Sequence, residues 1–223
     1  MEPLESFSYQ GGHYLDMDHA QQRRGYKIAK RIFDFSLSLV ALICLLPFLV
    51  VIALCIKIES KGPVLFLQER VGQDKKLFRI YKFRSMCEDA ASQHEKLKQE
   101  YGDTNISFKI KDDPRITKVG KFIRKLSIDE LPQLLNILKG DMSIVGPRPL
   151  PTYEADQLTE EYNARFHLKP GLTCYWQVSG RSDISFDERM EMDLRYAREC
   201  SFWLDVKLIL KTIPAVLTSK GAY

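Results

Sequence analysis

The most prominent pattern along the chain is a long run of apolar residues near its N-terminus. From Leu37 to Ile56 the sequence reads LSLVALICLLPFLVVIALCI and contains no charged residue. As a helix rising about 1.5 Å per residue, this run would measure roughly 30 Å, the thickness of a bilayer core. It starts too far into the chain and is too long to be the apolar region of a cleaved signal peptide. The pattern therefore predicts a helix that enters a membrane.

Two geometries are open for this helix. Length alone favours one that spans the bilayer, but Pro47 lies near its middle, where it removes a backbone hydrogen bond and bends the helix. A spanning helix also normally leaves its more cationic flank in the cytoplasm, and here the two flanks are similar. The cations are Arg23, Arg24, Lys27, Lys30 and Arg31 before the run and Lys57, Lys61, Arg70, Lys75 and Lys76 after it. We predict a re-entrant helical hairpin bent at Pro47, with both flanks cytoplasmic.

The remaining patterns predict an α+β, mainly helical domain with a small β-hairpin. Strand-like segments at 63–68 and 77–86 are joined by a turn at Gly72. Apolar residues at helical spacing predict two helices between Thr117 and Leu138 that meet before Pro132. Later helices are expected at 153–166, 186–200 and 203–217, with a loop at 169–183. The predicted organisation is a flexible leader at 1–25, a membrane segment at 26–60 and a cytoplasmic domain at 61–223.

The last predicted helix is amphipathic, with Phe202 and Trp203 at its start and Lys207 and Lys211 one turn apart. Such a pattern suits a helix lying at the membrane interface, and it suits a helix packed on the protein core equally well. A homodimer contact is a third use for the same surface. The sequence leaves these alternatives open.

Composition excludes several classes of protein. The chain has 33 Lys and Arg against 29 Asp and Glu, a balance that does not indicate nucleic-acid binding. Its five cysteines include no CxxC pair, so neither a disulfide framework nor a zinc site is predicted. The four histidines are too far apart to form a metal pair on a helix.

The strongest candidate for chemistry is the adjacent pair Asp129 and Glu130. Ser127 and Glu130 have the spacing of a capping box, which would put both carboxylates at a helix N-terminus, where anions are favoured. Neighbouring helical side chains point about 100° apart, so one carboxylate could ligate a metal while the other attacks. Simple helix capping is the alternative. Three arginines from separate segments, Arg124, Arg148 and Arg181, could together bind a diphosphate through guanidinium forks.

Three strings of sequence resemble one known family. They are QERVG…FRIYKFRSM at 68–86, DDPRITKVGKFIRKLSIDELPQLLNILKGDMSIVGPRP at 112–149 and KPGLTCYWQVSGR at 169–181. They resemble the bacterial sugar transferases, the monotopic polyprenyl-phosphate phosphoglycosyl transferases, in their small form with only a catalytic domain. The resemblance implies a re-entrant membrane anchor and a cytoplasmic catalytic domain at the bacterial inner membrane, in exopolysaccharide or other glycan assembly.

The resemblance also implies a mechanism. The aspartate at position 129 would attack the sugar-bearing phosphorus of a uridine diphosphosugar and release UMP, and undecaprenyl phosphate would then take the sugar phosphate. Glu130 would ligate Mg²⁺, the implied cofactor, and carboxylate oxygens suit that hard ion. Phosphate binding falls to Arg124, Arg148 and Arg181, with Lys82 and Arg84 as further candidates. The implied partners are the donor, the lipid acceptor and inner-membrane lipid, with no nucleic acid.

Two positions depart from the family pattern. Leu46 stands where a serine is expected before the hairpin proline, and Cys174 stands where a glycine is expected, which would matter if that residue needed a positive φ. Two other functions compete with the resemblance. One is a glycosyltransferase acting by direct displacement, with Asp129 as a base or metal ligand, and the other is a non-catalytic scaffold that binds anionic lipids. No sequence feature identifies the sugar.

Overall fold

The computed structural model describes residues 24–90, 92–93, 113–180 and 183–218. Residues 1–23 of the predicted leader and Arg181 of the predicted site lie outside these ranges. The helices, with 3-10 helices given separately, are α1 Arg24–Glu59, α2 Lys118–Lys125, α3 Leu134–Lys139, α4 Thr152–Ala155, α5 Tyr175–Ser179, α6 Phe186–Glu199 and α7 Phe202–Leu217. The strands are β1 Leu65–Val71, β2 Leu77–Phe83, β3 Ser143–Val145 and β4 Gly171–Thr173. The fold is mainly helical with small sheets, as predicted.

Helix α1 contains the whole apolar run and is long and apolar enough to cross a membrane. It is helical throughout Arg24–Glu59, with Pro47 inside it. No residue between Ser38 and Leu49 is buried, so the middle of the helix has little protein packed against it. The bend predicted at Pro47 stays a prediction.

Both ends of α1 are fixed to the rest of the fold. Near the start, Arg31 donates to the carbonyl oxygens of Ile137 and Leu138 at the end of α3, at 2.6 and 2.8 Å. Near the end, Glu59 accepts from the first backbone N–H groups of α2, at 2.7 and 3.0 Å. These contacts place a cation at a helix C-terminus and an anion at a helix N-terminus, as helix dipoles favour. The two halves of α1 therefore dock on the same domain.

Strands β1 and β2 form the predicted antiparallel hairpin, in which Gln68 pairs with Ile80 and Arg70 pairs with Phe78. The side chain of Asn136 on α3 fastens β2 to that helix. Its Oδ1 accepts from the Tyr81 N–H at 3.0 Å and its Nδ2 donates to the Arg79 carbonyl at 2.8 Å. Because Asn136 is fully buried, these bonds fix the position of β2 relative to α3.

Between α2 and α3 the chain forms a 3-10 helix, Ile128–Gln133. The two predicted helices are present, but the predicted capping box is not formed. Ser127 precedes the 3-10 helix in the left-handed conformation, with φ 54°, and its side chain caps nothing. Glu130 instead reaches across to cationic side chains. Pro132 lies near the end of the 3-10 helix, two residues before α3, so it removes no hydrogen bond from α3.

A second, parallel sheet of β3 and β4 was not predicted from the sequence. It pairs Ser143 with Gly171 and Val145 with Thr173. A Cβ on Gly171 would lie 2.1 Å from the Gly146 nitrogen, so only glycine permits this close approach of the two segments. The region predicted as the loop 169–183 therefore contains β4 and the short helix α5, while the predicted helices at 186–200 and 203–217 are confirmed as α6 and α7.

Two apolar clusters form the core. The first joins β2, α3 and β3 to α6 and α7, through Ile80, Ile137, Val145, Tyr196 and Leu208 among others. The second joins the last turns of α1 to β2, α2 and the 3-10 helix, through Leu49, Ile52, Ile56, Phe83, Ile123 and Ile128. Ile128, the first residue of the 3-10 helix that contains Asp129 and Glu130, belongs to this second cluster. The last turns of α1 therefore pack against the start of that 3-10 helix.

Candidate active site

A cavity of about 810 Å³ opens beside the 3-10 helix, and both Asp129 and Glu130 line it. Its other polar wall residues come from β1, β2, α2, the segment after β3, α5 and α6. They include Arg70, Lys82, Arg124, Arg148, Gln177 and Arg189. Together with Arg115, the wall has six cations, against four carboxylates, Asp113, Asp129, Glu130 and Glu154. This excess of positive charge favours the binding of an anion in the cavity.

The two carboxylates are held very differently. Glu130 Oε1 accepts from Lys82 Nζ at 3.0 Å and also from Arg148 Nη2. Glu130 Oε2 accepts from Arg148 Nη1 at 3.1 Å. Asp129 accepts no hydrogen bond and forms no ion pair with any residue that the structure describes. Glu130 is therefore fixed by a bidentate ion pair, while Asp129 presents a free carboxylate to the cavity.

The two carboxyl groups also differ in pKa. Burial works to raise the pKa of Glu130, but the charges of Arg148 and Lys82 hold that pKa far below its usual value. Burial raises the pKa of Asp129 to about 6, helped by the negative charge of Glu130 and opposed by Lys82, Arg124 and Arg148. Near neutral pH both groups are ionised. Asp129 is the more basic of the two, and it is also the one whose oxygens are free to react.

Arg148 is the central cation of the site. Its segment is stiffened by Pro147 and Pro149, and its guanidinium lies over the ring of Trp176 with 5.8 Å between the guanidinium carbon and the ring centroid. Burial alone would lower the pKa of Arg148, but the facing Glu130 raises it above its usual value. Arg148 is thus a permanent charge fixed in one orientation.

Arg124 and Lys82 approach from two other elements. Arg124, on the last turn of α2, donates from Nε to Ser85 Oγ at 2.8 Å, which leaves its terminal nitrogens available. Helix α2 can lie this close because residue 120 is glycine, where a Cβ would lie 2.0 Å from the Ser85 carbonyl oxygen. Lys82 belongs to β2, and burial lowers its pKa while Glu130 opposes that shift. The structure brings Lys82, Arg124 and Arg148 together with both carboxylates.

Arg84 is placed elsewhere, and the prediction that it binds substrate is not supported by its position. It does not line the cavity. Its guanidinium donates to the Ser60 carbonyl at 2.8 Å, to Ser60 Oγ at 2.9 Å and to the Lys61 carbonyl. One residue past β2, its side chain turns to the end of α1, where three acceptors fix it. Arg84 thus connects the membrane segment to the sheet.

Three cavity residues were not singled out from the sequence. Arg70 donates to the Pro149 carbonyl at 3.1 Å, and burial lowers its pKa to about 10. Arg189 lies over the ring of Trp176, with 5.4 Å from its guanidinium carbon to the ring centroid. Trp176 is thus in contact with two guanidinium groups. Nothing in the string QERVG distinguishes Arg70 from an ordinary surface arginine. Arg189 lies in a helix with an ordinary amphipathic pattern, which does not mark it as a site residue.

Much of the remaining cavity wall is apolar. Helices α1 and α7 and strand β4 contribute Ala41, Leu172, Ile209, Ile213, Val216 and Leu217 to it. Trp203, Leu210 and Leu217 on α7 also expose more than half of their side-chain surface. A single cavity therefore combines a cationic wall with an apolar wall to which α1 contributes Ala41.

The residues present fit a magnesium ion that a phosphate ligand would complete. Glu130 Oε1 accepts from two cations, but Oε2 accepts only one hydrogen bond and keeps an acceptor site. No cluster of three or more His, Cys, Asp or Glu side chains suited to a metal occurs among the described residues. Mg²⁺ in phosphate-processing sites is commonly held by one or two carboxylates together with phosphate oxygens and water, so two carboxylates suffice.

Cys174 causes no backbone strain at the site. Its φ is −155° and its ψ is 176°, an extended conformation that any residue adopts, so the position does not require glycine. The thiol is fully buried and donates to Gln177 Oε1 at 3.1 Å. Burial raises its pKa, so it is not a reactive thiolate.

The fold and the site define a protein with a membrane-type helix and a cationic cavity built around one free carboxylate. The chain belongs to the bacterial sugar transferase family, whose profile matches residues 25–219.

Individual relatives agree with this assignment. The chain is 47% identical over 197 residues to the galactosyl transferase CpsE of Streptococcus agalactiae, a match covering 87% of this chain and 43% of the relative. It is 41% identical over 208 residues to the undecaprenyl-phosphate galactose phosphotransferase of Salmonella typhimurium, covering 90% and 43%. It is 39% identical over 204 residues to the exopolysaccharide production protein ExoY of Sinorhizobium fredii, covering 88% of each. The chain thus spans less than half the length of two of these relatives and most of the third.

Proposed function

We propose that this protein is a phosphoglycosyl transferase that moves a sugar 1-phosphate from a uridine diphosphosugar to undecaprenyl phosphate. The observation on which the proposal rests is the contrast between the two adjacent carboxylates. Asp129 is free and basic, while Arg148 and Lys82 neutralise Glu130 beside it. A nucleophile that must approach a diphosphate needs a free lone pair and nearby cations, and Asp129 has both.

The reaction consists of two displacements at one phosphorus atom. An Asp129 oxygen attacks the sugar-bearing phosphorus, and the bond from that phosphorus to the bridging oxygen breaks, so that UMP leaves with the electron pair. An oxygen of undecaprenyl phosphate then attacks the same phosphorus, and the bond to Asp129 breaks, which restores the carboxylate. The product is an undecaprenyl diphosphosugar. This division lets a water-soluble donor and a lipid acceptor use one cavity in turn.

The cations have separate tasks in this scheme. Arg124 offers its terminal nitrogens to phosphate oxygens on the Asp129 side, and Arg148 offers its charge on the Glu130 side. Lys82 holds Glu130 in place. When bound, Mg²⁺ would neutralise phosphate charge, with Glu130 as its protein ligand. Arg181, outside the described residues, is proposed from its sequence position alone to contribute to phosphate binding.

The apolar wall suits the acceptor. Carriers of this class have a long isoprenoid chain, and the wall formed by α1 and α7 leads from the carboxylates towards the membrane segment. Several relatives are named as undecaprenyl-phosphate sugar phosphotransferases, among them those from Salmonella typhimurium and Komagataeibacter xylinus. We place the protein at the bacterial inner membrane with its catalytic domain in the cytoplasm, where nucleotide sugars are made, in exopolysaccharide or capsule assembly.

Docking of both ends of α1 on one domain supports a re-entrant hairpin. The arrangement keeps Arg31 and Glu59 on the same body while the unburied middle, with Pro47, is left for lipid. The test is cysteine labelling in inverted and right-side-out vesicles, with all five native cysteines replaced and single cysteines placed at Lys27 and Lys61. Labelling of both sites only from the cytoplasmic side supports the hairpin. Labelling from opposite sides would show a spanning helix.

The enzymatic test is UMP release by the detergent-solubilised chain with Mg²⁺, undecaprenyl phosphate and a panel of uridine diphosphosugars. Asp129→Asn is compared with the wild type and with Asp156→Asn, which changes an exposed aspartate far along the chain from the pair. We expect UMP from at least one donor with the wild type and with Asp156→Asn, and none above background with Asp129→Asn.

The covalent step has its own measurement. Trypsin cuts after Lys125 and Lys139, so Asp129 lies in the peptide 126–139. With donor but no acceptor, this peptide should gain the mass of a sugar phosphate, and hydroxylamine should remove it, as expected of an acyl phosphate. UMP release that requires the acceptor, with no peptide adduct, would favour direct displacement. No UMP from any donor, together with binding to anionic vesicles, would favour the scaffold.

A further inference from the structure

A buried ion pair behind the cavity has no part in the mechanism derived above. Arg165, in the 3-10 helix Glu160–His167, and Asp193, on α6, are 2% and 0% exposed. Arg165 donates to Asp193 Oδ2 from Nε at 3.2 Å and from Nη2 at 2.7 Å. Neither Arg165 nor Asp193 lines the cavity.

The pair contacts the active site through one hydrogen bond. Arg165 Nη2 also donates to the backbone carbonyl of Arg148 at 2.6 Å. Arg148 lies between two prolines, neither of which has an N–H to donate, so its segment has few backbone hydrogen bonds of its own. The contact from Arg165 fixes the backbone from which the Arg148 side chain reaches Glu130.

Stability alone does not account for this arrangement. Asp193 Oδ1 has no hydrogen-bond partner among the described residues, and a buried carboxylate oxygen left unpaired is costly. A buried ion pair is often no more stabilising than apolar residues of similar volume. What the pair provides, and an apolar pair could not, is a guanidinium with a fixed direction.

We propose that Arg165 and Asp193 are positioning residues that act through Arg148. Asp193 orients the Arg165 guanidinium, Arg165 fixes the Arg148 carbonyl, and Arg148 then meets Glu130 in its bidentate geometry. The kinetic test of this inference measures UMP release and therefore rests on the proposed function, whereas the hydrogen bonds on which the inference is based do not. Neither residue touches substrate.

The test is a double-mutant cycle on UMP release by the full chain, with Asp193→Asn and Arg148→Ala made singly and together. If Asp193 acts through Arg148, Asp193→Asn should lower kcat/KM about tenfold in the wild-type background, a coupling of ordinary size for residues in one hydrogen-bond network. In the Arg148→Ala background the same substitution should have almost no effect. Equal losses in both backgrounds would overturn the proposal.

Asp205→Asn is the matched control. Asp205 is also buried, at 2% exposure, and accepts from Tyr26, Lys30 and Tyr196, none of which contacts Arg148. Any effect of Asp205→Asn on kcat/KM should be the same with and without Arg148. If Asp193→Asn fails to fold, Arg165→Lys replaces it, because lysine keeps the charge but cannot direct a planar fork at both acceptors.

A second measurement needs no turnover. The chain has two tryptophans, so in a Trp203→Phe background fluorescence reports Trp176, over which the Arg148 guanidinium lies. Asp193→Asn should change the Trp176 emission when Arg148 is present and leave it unchanged when residue 148 is alanine. An unchanged emission in both backgrounds would refute the positioning role, whereas a wild-type chain that releases no UMP would refute the proposed function alone.

Discussion

Arg148 donates to both carboxylate oxygens of Glu130, whereas the adjacent Asp129 accepts no hydrogen bond from any described residue. The 3-10 helix makes this division possible because its successive side chains point about 120° apart, so that Asp129 and Glu130 meet different neighbours. Ser127, in the left-handed conformation, sets the direction in which this helix starts. This turn thus places two neighbouring carboxylates, Asp129 and Glu130, in different surroundings.

The bidentate pair leads to a prediction about Arg148→Lys. Lysine keeps the positive charge but offers one point donor where arginine offers a planar fork. Loss of one charge-assisted hydrogen bond of about 1.5–3 kcal/mol corresponds to a loss in kcat/KM of roughly tenfold to a hundredfold. The measurement is UMP release at saturating acceptor, with circular dichroism to check folding. Activity within twofold of the wild type would show that charge alone suffices at this position.

Most of the site could be predicted from the sequence because its residues lie in long motifs. Asp129, Glu130, Arg124, Arg148 and Lys82 all line one cavity, as the clustering of cations around the pair indicated. Other features depend on pairings between distant segments. The parallel strands β3 and β4 are three residues each and are separated by 25 residues, so no local pattern marks them. Arg165 and Asp193 were missed for the same reason, because each looks like an ordinary charge on a helix.

Arg84 shows why strand alternation misleads at a strand end. In a strand that continued over the predicted segment 77–86, Arg84 would share a face with Lys82, but β2 ends at Phe83, and beyond that residue the period of two no longer applies.

Substitution of Arg84 should therefore affect stability more than substrate binding. Arg84→Ala removes three hydrogen bonds to the end of α1, and we expect a fall in Tm of several degrees with an unchanged KM for the donor. Arg124→Ala should show the opposite pattern, with a raised KM and a nearly unchanged Tm. Thermal melting followed by donor titration separates the two. A higher KM in Arg84→Ala at full stability would restore the substrate-binding role.

The contact between Glu59 and α2 leads to a prediction about the membrane segment. Glu59 accepts from the N–H groups of Lys118 and Val119, which are otherwise without partners at the start of a helix. Glu59→Ala should cost about as much as loss of a helix cap, which lowers Tm by roughly 2–4 °C in a domain of this size. Glu191→Ala, at an exposed site on α6, is the control and should change Tm little. Equal melting of both variants would mean that the contact does not stabilise the fold.

The raised pKa of Asp129, the proposed nucleophile, implies that its ionised carboxylate lowers the stability of the folded protein. Burial and the charge of Glu130 raise this pKa to about 6 in the folded protein, above the value near 4 of an unfolded aspartate. A group shifted upwards stabilises the fold most below its unfolded pKa, and that contribution is lost as pH rises through the folded pKa. Without Mg²⁺ or donor, wild-type Tm should therefore fall between pH 4 and pH 7 relative to Asp129→Asn, which stays neutral throughout.

The difference should approach a plateau above pH 7, where we expect Asp129→Asn to melt a few degrees higher than the wild type, from a penalty on the order of 1–2 kcal/mol after allowance for solvent screening. Below pH 4 the two proteins should melt alike. The measurement is a series of melts in EDTA across this range, with Asp156→Asn as the control that should follow the wild type. If Asp129→Asn is no more stable than the wild type at pH 8, the surrounding cations fully compensate the buried charge of Asp129. The ionised carboxylate would then not be destabilised before it reacts.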